Sequence, residues 1–335
     1  MNPLLRKDSV LPNAPLQLAS NATAVAAAAA HHAAGLTSSI ALDNPHVVKL
    51  DVDFLYHLGL DTSMDFKAMF GDVKFVCMGG SNNRMLEFAK RVAEELGITL
   101  PVGAAIADVS RTDRYCLYKV GPVISVSHGM GIPSISILLH EITKLMHYAG
   151  ATEVIYLRIG SSGGIGVPAG TIVITEEALD GELNPFHTLK VLGNKIYRDA
   201  KFDRALLDEI AACKTPEMNV LVGKTMCAED FYEGQARLDG AICEYPQDAK
   251  FAFFSKAQAK GVVNMEMESL EFAAFTWHLK IPAAVLCATY LNRMETDQVS
   301  SPPHVIHAYS ENTQNLALAF MKKRLASYAA RPAAK

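Results

Sequence analysis

Short apolar runs alternate along the chain with longer stretches in which apolar residues recur at helical spacing. Eight runs have the character of strands: VKFVCM (73–78), two strands within 112–134 joined at Gly121 and Pro122, VIYL (154–157), TIVIT (171–175), NVLVGKTM (219–226), a short strand at the start of 261–279, and AAVLCATY (283–290). The other stretches predict helices at residues 81–97, 134–148, about 200–213, 248–260, within 261–279 and at 311–327. This alternation with short links predicts a three-layer α/β/α fold around a central mixed, largely parallel sheet.

Two further stretches complete this prediction. DVDFLYHLGLD (51–61), which carries His57, has apolar residues at helical spacing. Residues 291–306 are mostly polar and contain Pro302 and Pro303, so we predict a long loop before the last helix.

Residues 1–45 differ in composition from the rest of the chain. They carry four charged residues and an alanine tract at 26–30 that has no amphipathic face. We therefore predict a disordered extension over residues 1–45 and a single domain over residues 46–330. A targeting segment is the alternative, but arginines are few, and His31 and His32 interrupt the apolar stretch.

Composition and charge narrow the classes of function. The chain has 335 residues, half of them hydrophobic, and a formal net charge of −4. The sequence has no basic patch of the kind that binds nucleic acid. It also has no run of about 18 strongly apolar residues that could span a membrane. The six cysteines include no CxxC pair, which is typical of a reducing compartment, so we expect a cytoplasmic protein. The histidines lack metal-ligand spacing, so we expect no metal, and we interpret His128 and His140 as core or surface histidines.

The stretch VIYLRIGSSGGIG (154–166) carries the strongest chemical signal. A buried strand leads into Arg158, and a segment rich in glycine and serine, which we interpret as a loop, follows at residues 160–164. A buried arginine is costly unless an anion meets it, and backbone N–H groups of glycines can approach an anion closely. The pattern predicts an anion-binding site. An arginine paired with an internal carboxylate is the alternative.

Two more arginines belong to this prediction. Arg84 lies in the first turn of the helix after Gly79 and Gly80, where a helix N-terminus already favours an anion; a surface arginine is the alternative. Arg114 precedes a pair of strands. Residues 160–166 follow the spacing GxxGGxG, not GxGxxG, and the chain contains no Walker A or GxSxG motif, which argues against a dinucleotide site, a P-loop and a serine nucleophile.

Polar residues of a second kind follow two later strands. Gln235 and Arg237 are two residues apart, so in an extended loop their side chains would face the same side. Together they match the imide edge of a flat ring, and Phe231 supplies an aromatic side chain nearby. Glu266 and Glu268 can accept hydrogen bonds from sugar hydroxyls. Solvated loop residues are the alternative for Gln235 and Arg237. Loops that follow parallel strands meet at one edge of a sheet. We therefore expect one crevice to be formed by Gly79 with Gly80, the segments 160–164 and 227–241, Glu266 with Glu268, and the loop 291–306.

Six segments resemble the eukaryotic uridine phosphorylases of the nucleoside phosphorylase superfamily: FGDVKFVCMGG, TDRYCLYKVGPVISVSHGMGIPSISILLHE, RIGSSGGIG, FYEGQARLDGA, NMEMES and LNR. The resemblance covers roughly residues 50–328. It implies the nucleoside phosphorylase fold and a pentosyltransferase that converts uridine and phosphate reversibly into uracil and ribose 1-phosphate. Phosphate would be a co-substrate, and the resemblance implies no cofactor.

The resemblance also implies roles for individual residues. Phosphate would be held by Gly80, Arg84, Arg114, Arg158 and Ser161, the last standing where the family usually has threonine. The nucleoside would be held by His57, Phe231, Gln235, Arg237, Glu266, Met267 and Glu268. Catalysis would fall to Arg158, Gln235, Arg237 and Glu268. In the family, the histidine and the TDR arginine come from the neighbouring subunit, so the resemblance implies a homodimer that donates His57 and Arg114 across its interface.

Other functions remain possible on the same fold. A nucleosidase would use water, but the arginine set favours phosphate. A purine phosphorylase would need an acid after the strand AAVLCATY, where this chain has Leu291, Asn292 and Arg293, with Asp297 later. A catalytically silent nucleoside-binding protein is the alternative from another class, although every matched site residue is chemically competent.

Overall fold

The helices and strands alternate as the apolar pattern predicts. The computed structural model describes residues 39–101 and 103–331. Its α-helices are α1 (Phe66–Phe70), α2 (Asn82–Glu95), α3 (Ile132–Ala149), α4 (Arg204–Ala211), α5 (Gln247–Ala259), α6 (Ser269–His278) and α7 (Pro303–Ala329). Its strands are β1 (Phe54–Leu55), β2 (Leu60–Asp61), β3 (Phe75–Gly79), β4 (Leu117–Val120), β5 (Val123–Ser127), β6 (Ile155–Gly164), β7 (Ile172–Leu179), β8 (Phe186–Val191), β9 (Asn194–Asp199), β10 (Val220–Cys227), β11 (Val262–Glu266) and β12 (Ala283–Asn292).

Eight strands form the central sheet, in the order β11-β10-β7-β12-β6-β3-β5-β4. Strands β3, β5, β6 and β12 run parallel, while β12 with β7 and β4 with β5 are antiparallel pairs. The end of β11 also pairs with β6 in antiparallel fashion, which closes five of the strands into a ring. The prediction of a mixed, largely parallel sheet is confirmed.

Helices cover the sheet in two layers. Helix α7 lies on β6 and β12 and also contacts α2 and α4. Helix α6 lies on β7, β10 and β12 and contacts α3, which in turn packs against α1. All five residues of β3 are buried because the strand is covered on both faces, which explains its continuous apolar run. The predicted three-layer α/β/α architecture is confirmed.

The structure corrects three local predictions. Residues 51–61 contain the short antiparallel pair of β1 and β2 instead of a helix, with Gly59 at a positive φ of 66° in the turn. A hairpin of β8 and β9, over residues 186–199, was missing from the prediction. Helix α7 begins at Pro303, inside the predicted loop, because proline is well suited to the first helical position.

Residues 39–45 contact the folded domain. Ser39 forms a β-bridge with Thr152, and the Ile40 carbonyl lies 2.8 Å from Nδ1 of His147. The described chain therefore joins the domain before residue 46, and the predicted extension lies outside the described residues as far as residue 38. No helix in the described ranges combines the length and apolar character needed to cross a membrane.

Candidate active site

A cavity of about 220 Å³ opens beside β6, where the ends of β3, β5, β11 and β12 approach one another. Ten of the twelve predicted site residues line it: Gly80, Arg84, Arg158, Ser161, Phe231, Gln235, Arg237, Glu266, Met267 and Glu268. The predicted convergence on one crevice therefore holds for these ten residues. The other two, His57 and Arg114, lie elsewhere.

The Arg158 guanidinium is buried on the floor of the cavity and is held by three side chains. Its Nη2 contacts the carboxylates of Glu266, at 2.9 Å, and Glu268, and its Nη1 donates to Sγ of Cys287 at 3.0 Å. Burial raises the pKa of Cys287 to about 11, so this thiol is neutral. The alternative that we weighed for Arg158, pairing with internal carboxylates, is thus observed. The Nε of Arg158 still has no partner among the described residues.

The glycine- and serine-rich segment at residues 160–164 is part of strand β6, so our interpretation of it as a loop was wrong. The reason for its glycines is close approach of arginine side chains. A Cβ on Gly160 would lie 2.8 Å from Nη1 of Arg158, and one on Gly163 would lie 2.8 Å from Cγ of Arg293. The missing side chains therefore let two arginines lie flat across the strand.

The two glutamates differ in their surroundings. Glu266 accepts hydrogen bonds from the backbone N–H groups of Glu268 and Ser269, both at 3.0 Å, and so caps the start of α6. Burial raises the pKa of Glu266, and the charge of Glu268 adds to this effect. Burial of Glu268 is outweighed by Arg158, so the pKa of Glu268 is lowered. Glu268 also accepts a hydrogen bond of 2.6 Å from the N–H of Gly131.

Arg84 and His128 face the side of the cavity next to Gly80. Nε of Arg84 donates to the hydroxyl of Ser81 at 3.1 Å. A Cβ on Gly80 would lie 3.3 Å from Nη2 of Arg84 and 3.9 Å from Cε1 of His128, so both side chains converge there. His128 follows β5 directly and lines the cavity, which our interpretation as a core or surface histidine did not anticipate. The hydroxyl of Ser161, on the cavity wall, makes no hydrogen bond within the described ranges.

Unsatisfied polar atoms are concentrated here. In residues 39–101 and 103–331, five buried side-chain nitrogen or oxygen atoms lack a hydrogen-bond partner. Three of the five belong to cavity residues: Nδ1 and Nε2 of His128 and Nε of Arg158. Buried polar atoms in folded proteins are almost always paired, so a concentration of unpaired ones indicates a ligand site. Because the arginine Nε–H can only donate, the ligand must offer an acceptor.

Gln235 and Arg237 reach the cavity from a compact turn, not from the extended loop that we predicted. Gln235 ends a 3₁₀ turn (Glu233–Gln235), and Ala236 is left-handed with φ of 51°. The carboxylate of Asp230 organises the turn by accepting from the N–H groups of Tyr232 and Gly234, both at 2.6 Å. Both predicted side chains nevertheless line the same cavity.

The Arg237 side chain is held at the cavity edge. Asp239 accepts from its Nε at 2.8 Å and its Nη2 at 2.7 Å, and its guanidinium lies 4.6 Å from the ring centre of Phe231. Phe231 thus packs on Arg237 and also lines the cavity. Nη1 of Arg237 makes no hydrogen bond to any described residue, so it is available to a ligand.

Arg293 is a cavity residue that sequence reasoning gave no role. It is only 1% exposed, and its Nη1 and Nη2 donate to the side-chain and backbone oxygens of Gln235 at 3.0 and 2.8 Å. Arginine cannot accept a hydrogen bond, so the Gln235 amide oxygen must face it. Its position directly after a buried strand was the available signal.

Asp297 supports Arg293 from outside the cavity. Its Oδ1 accepts from Nε of Arg293 at 2.9 Å and from Nζ of Lys250 at 2.7 Å, and its Oδ2 accepts from the N–H of Leu238 at 3.0 Å. Burial alone would raise the pKa of Asp297, but these hydrogen bonds and the two cations lower it. The group is therefore an ionised carboxylate near neutral pH, not an acid ready to give up a proton.

His57 and Arg114 lie close together on the surface. Nδ1 of His57 is 2.7 Å from the buried carboxylate of Glu141, which accepts its hydrogen bond, so Nε2 is the ring nitrogen left for a ligand. The hydroxyl of Thr112 donates to the His57 carbonyl at 2.5 Å, which ties the segment before Arg114 to His57. The side chain of Arg114 is 71% exposed, and its nearest anionic neighbour is Asp113 at 3.9 Å.

Comparisons with known proteins find relatives over most of the chain. A family model described as the phosphorylase superfamily matches residues 74–328. The chain is 46% identical over 289 residues to uridine phosphorylase 1 of Mus musculus, and the match covers 85% of this chain and 93% of the mouse protein. A solved structure, reported for uridine phosphorylases of the oomycete Phytophthora capsici, matches with a TM-score of 0.84 at 44% identity, covering 87% of this chain and 100% of that chain.

One relative carries a different description. The chain is 38% identical over 287 residues to a protein of Schistosoma mansoni named inactive uridine phosphorylase B, covering 84% of this chain and 95% of the relative. Similarity of this degree therefore extends both to proteins named as enzymes and to one named as inactive. Activity must accordingly be argued from the chemistry of the residues that line the cavity.

Proposed function

Because this chain belongs to the phosphorylase superfamily and, within it, to the uridine phosphorylases, we propose that the cavity beside β6 carries out the phosphorolysis of uridine. Uridine phosphorylases are pentosyltransferases, and the chain is an enzyme of this class. The reaction converts uridine and phosphate reversibly into uracil and ribose 1-phosphate. The assignment of roles to the cavity residues is our proposal.

Phosphate occupies the part of the cavity between Arg84, Arg158 and Gly80. The observation that carries this assignment is the buried Nε of Arg158, which has no partner among the described residues and can only donate. Arg84 adds a second positive charge, and the unengaged hydroxyl of Ser161 adds a donor. Gly80 has no side chain, so an anion can approach its backbone.

The ribose lies over the glutamates, next to the phosphate. Glu268 is ionised, and it can accept from ribose hydroxyls while it keeps its hydrogen bond to Gly131. Glu266 is fully occupied by Arg158 and by the start of α6, so its role is to hold Arg158 in place. Met267, between them, contributes an apolar wall.

The chemical step follows from these positions. An oxygen of phosphate attacks C1′ of uridine while the bond from C1′ to N1 of uracil breaks, and the electron pair leaves with uracil. The sugar passes through an oxocarbenium-like state, which the adjacent phosphate charge stabilises. Arg237, through its available Nη1, and Gln235 stabilise the negative charge that develops on uracil. Holding phosphate below C1′ supplies the benefit of proximity.

The surroundings of Asp297 support a pyrimidine over a purine substrate. A purine leaving group is commonly helped by an acid that protonates the base. The carboxylate of Asp297 is engaged by Lys250, Arg293 and a backbone N–H, and its pKa is lowered. No proton is held there for a purine ring. The fixed amide of Gln235 offers instead the donor and acceptor that suit an imide.

A second copy of the chain completes the site by donating His57 and Arg114. Both lie outside the cavity of their own chain, on one surface. Alternate apolar residues before His57 are exposed on that side of the chain: Val48, Leu50, Val52, Phe54 and Tyr56. Exposed apolar surface of this extent is typical of a protein interface. In the homodimer, Nε2 of His57 would form a hydrogen bond with a ribose hydroxyl, and Arg114 would add a further charge at phosphate.

Ultraviolet-monitored cleavage of uridine and of inosine, each with and without phosphate, tests the proposal. We expect uridine loss that requires phosphate, with inosine unchanged. Phosphate-independent cleavage would mean a nucleosidase and a wrong assignment of the arginines. Inosine preference would contradict the assignment of Gln235 and Arg237. No turnover of either substrate would place the chain beside its inactive relative.

A further inference from the structure

His128 occupies a position that the proposed reaction leaves without a role. It is the first residue after β5, and its backbone N–H donates to the carbonyl of Gly79 at 2.8 Å, which sets it beside the end of β3. Its carbonyl accepts from the hydroxyl of Ser134 at 2.5 Å. The backbone on both sides is therefore fixed, and the ring lies against the cavity.

The imidazole ring is buried and unpaired. The residue is 1% exposed, and both ring nitrogens lack a hydrogen-bond partner among the described residues. His187, also buried in the described structure, differs because its Nε2 makes an ion-pair contact of 3.4 Å with Oε2 of Glu271, although this contact is not a hydrogen bond. A buried histidine with a purely structural role normally has a hydrogen-bond partner. The two unpaired ring nitrogens of His128 are therefore available to a group outside the described residues of this chain.

The neighbours of His128 indicate the kind of group. Its Cε1 and Nη2 of Arg84 both lie within 4 Å of the point where a Cβ of Gly80 would be. The charge of Arg158 also acts on the ring. Burial of the ring lowers the pKa of His128 to about 3, and the charges of Arg158 and Arg84 add to this effect, so the imidazole stays neutral. A neutral ring always has one N–H donor and one nitrogen acceptor.

We propose that His128 is a further phosphate-binding residue, which donates a hydrogen bond from its neutral ring to a phosphate oxygen between Arg84 and Arg158. A neutral donor adds contact without adding a positive charge to a region that already holds two arginines. This inference rests on the proposed function, because it assumes that phosphate is the anion in the cavity.

The test compares three variants with the wild-type full-length enzyme. His128→Phe keeps a ring of similar size and removes both nitrogens, and His128→Gln keeps a donor and an acceptor. His187→Phe is the control, since it removes a buried histidine outside the cavity. The measurement is the phosphate concentration that gives half-maximal rate at saturating uridine, and the KM for uridine at saturating phosphate.

We expect the phosphate KM of His128→Phe to rise about tenfold or more, since the lost hydrogen bond is to a charged group. The uridine KM should change less than about twofold, and His128→Gln should recover most of the phosphate affinity. A merely structural role would shift both KM values or neither. A wild-type phosphate KM in His128→Phe would overturn the inference, as would equal changes in both constants or the same change in His187→Phe.

Two further arms keep the test decisive. Should His128→Phe fail to fold, His128→Ala with added imidazole replaces it, because the free ring can enter the space vacated by the side chain. Restoration of the phosphate KM by imidazole is expected, and no effect of imidazole would contradict the inference. Uridine cleavage by the wild type without phosphate would instead overturn the proposed function, and this inference with it.

Discussion

Acidification should destabilise the protein through the buried, neutral ring of His128. The groups that face the ring are Arg158 on β6, Arg84 on α2, and Glu268 at the start of α6. Burial and the charge of Arg158 lower the pKa of His128 to about 3, while Glu268 acts in the opposite direction. In the unfolded chain the ordinary value of about 6.5 returns. Between these two values only the unfolded chain binds the proton.

The size of the effect follows from linkage. Because the pKa of the folded state is the lower one, the contribution of His128 to stability is fully present above pH 6.5. It is lost progressively as the pH falls towards 3. At pH 5 the pKa of about 3 and the unfolded value of about 6.5 correspond to about 2 kcal/mol.

Denaturant unfolding of the wild type and of His128→Gln measures this contribution. Both proteins are compared at pH 7.5 and pH 5, without phosphate, at one ionic strength and one protein concentration. The free energy of unfolding of the wild type should fall by about 2 kcal/mol more than that of the variant. All other titrating groups are shared, so they cancel in the comparison. Equal losses in the two proteins would refute the placement of His128 as a buried neutral ring.

Three other predictions concern turnover. Gly160→Ala should lower kcat/KM at least about tenfold by displacing Arg158, because the added Cβ would lie 2.8 Å from its guanidinium. Gly181→Ala is the matched control, since no heavy atom lies within 4 Å of the added Cβ, and equal kcat/KM values in the two variants would contradict the prediction. Arg237→Ala should lower kcat by about 10²-fold and affect the uridine KM less, because charge on uracil develops only in the transition state; a change confined to KM would contradict it. Inactive His57→Ala and Arg158→Ala, unfolded and refolded together, should regain about a quarter of wild-type activity, because half of the dimers would hold one intact site; no recovery would argue against a shared site.

Hydrophobic patterning was sufficient for the architecture and less reliable for short elements. The strand run at residues 73–78 and the helix stripe after it are unambiguous because each is long enough to show its period. The helix predicted over residues 51–61 was wrong because a strand of two residues is too short to show a period. The helical spacing there reflects burial of Leu55, Leu58 and Leu60. The hairpin at 186–199 is largely exposed, so it carries little apolar signal.

Sequence patterns predicted most of the residues that line the cavity, but few of the contacts between those residues. Arginines, glycines and carboxylates directly after apolar runs identified most of the cavity. The ion pairs of Arg158 join residues that are far apart in the chain, and no local pattern reports them. His128 and Arg293 were visible only as residues at strand ends, and the burial that gives each its role depends on packing from several elements.

The late partners of Arg158 also set an order of assembly during synthesis. Arg158 can contact Glu268 and Cys287 only after these residues, 110 and 129 positions further along the chain, have been synthesised. Pairing of β6 with β12 spans the same long interval, and contacts of such separation form slowly. A nascent chain that ends before β11 would have to bury a guanidinium with no counter-ion or leave β6 open to water. We therefore expect β6 and the cavity beside it to fold only when nearly the whole chain has emerged from the ribosome.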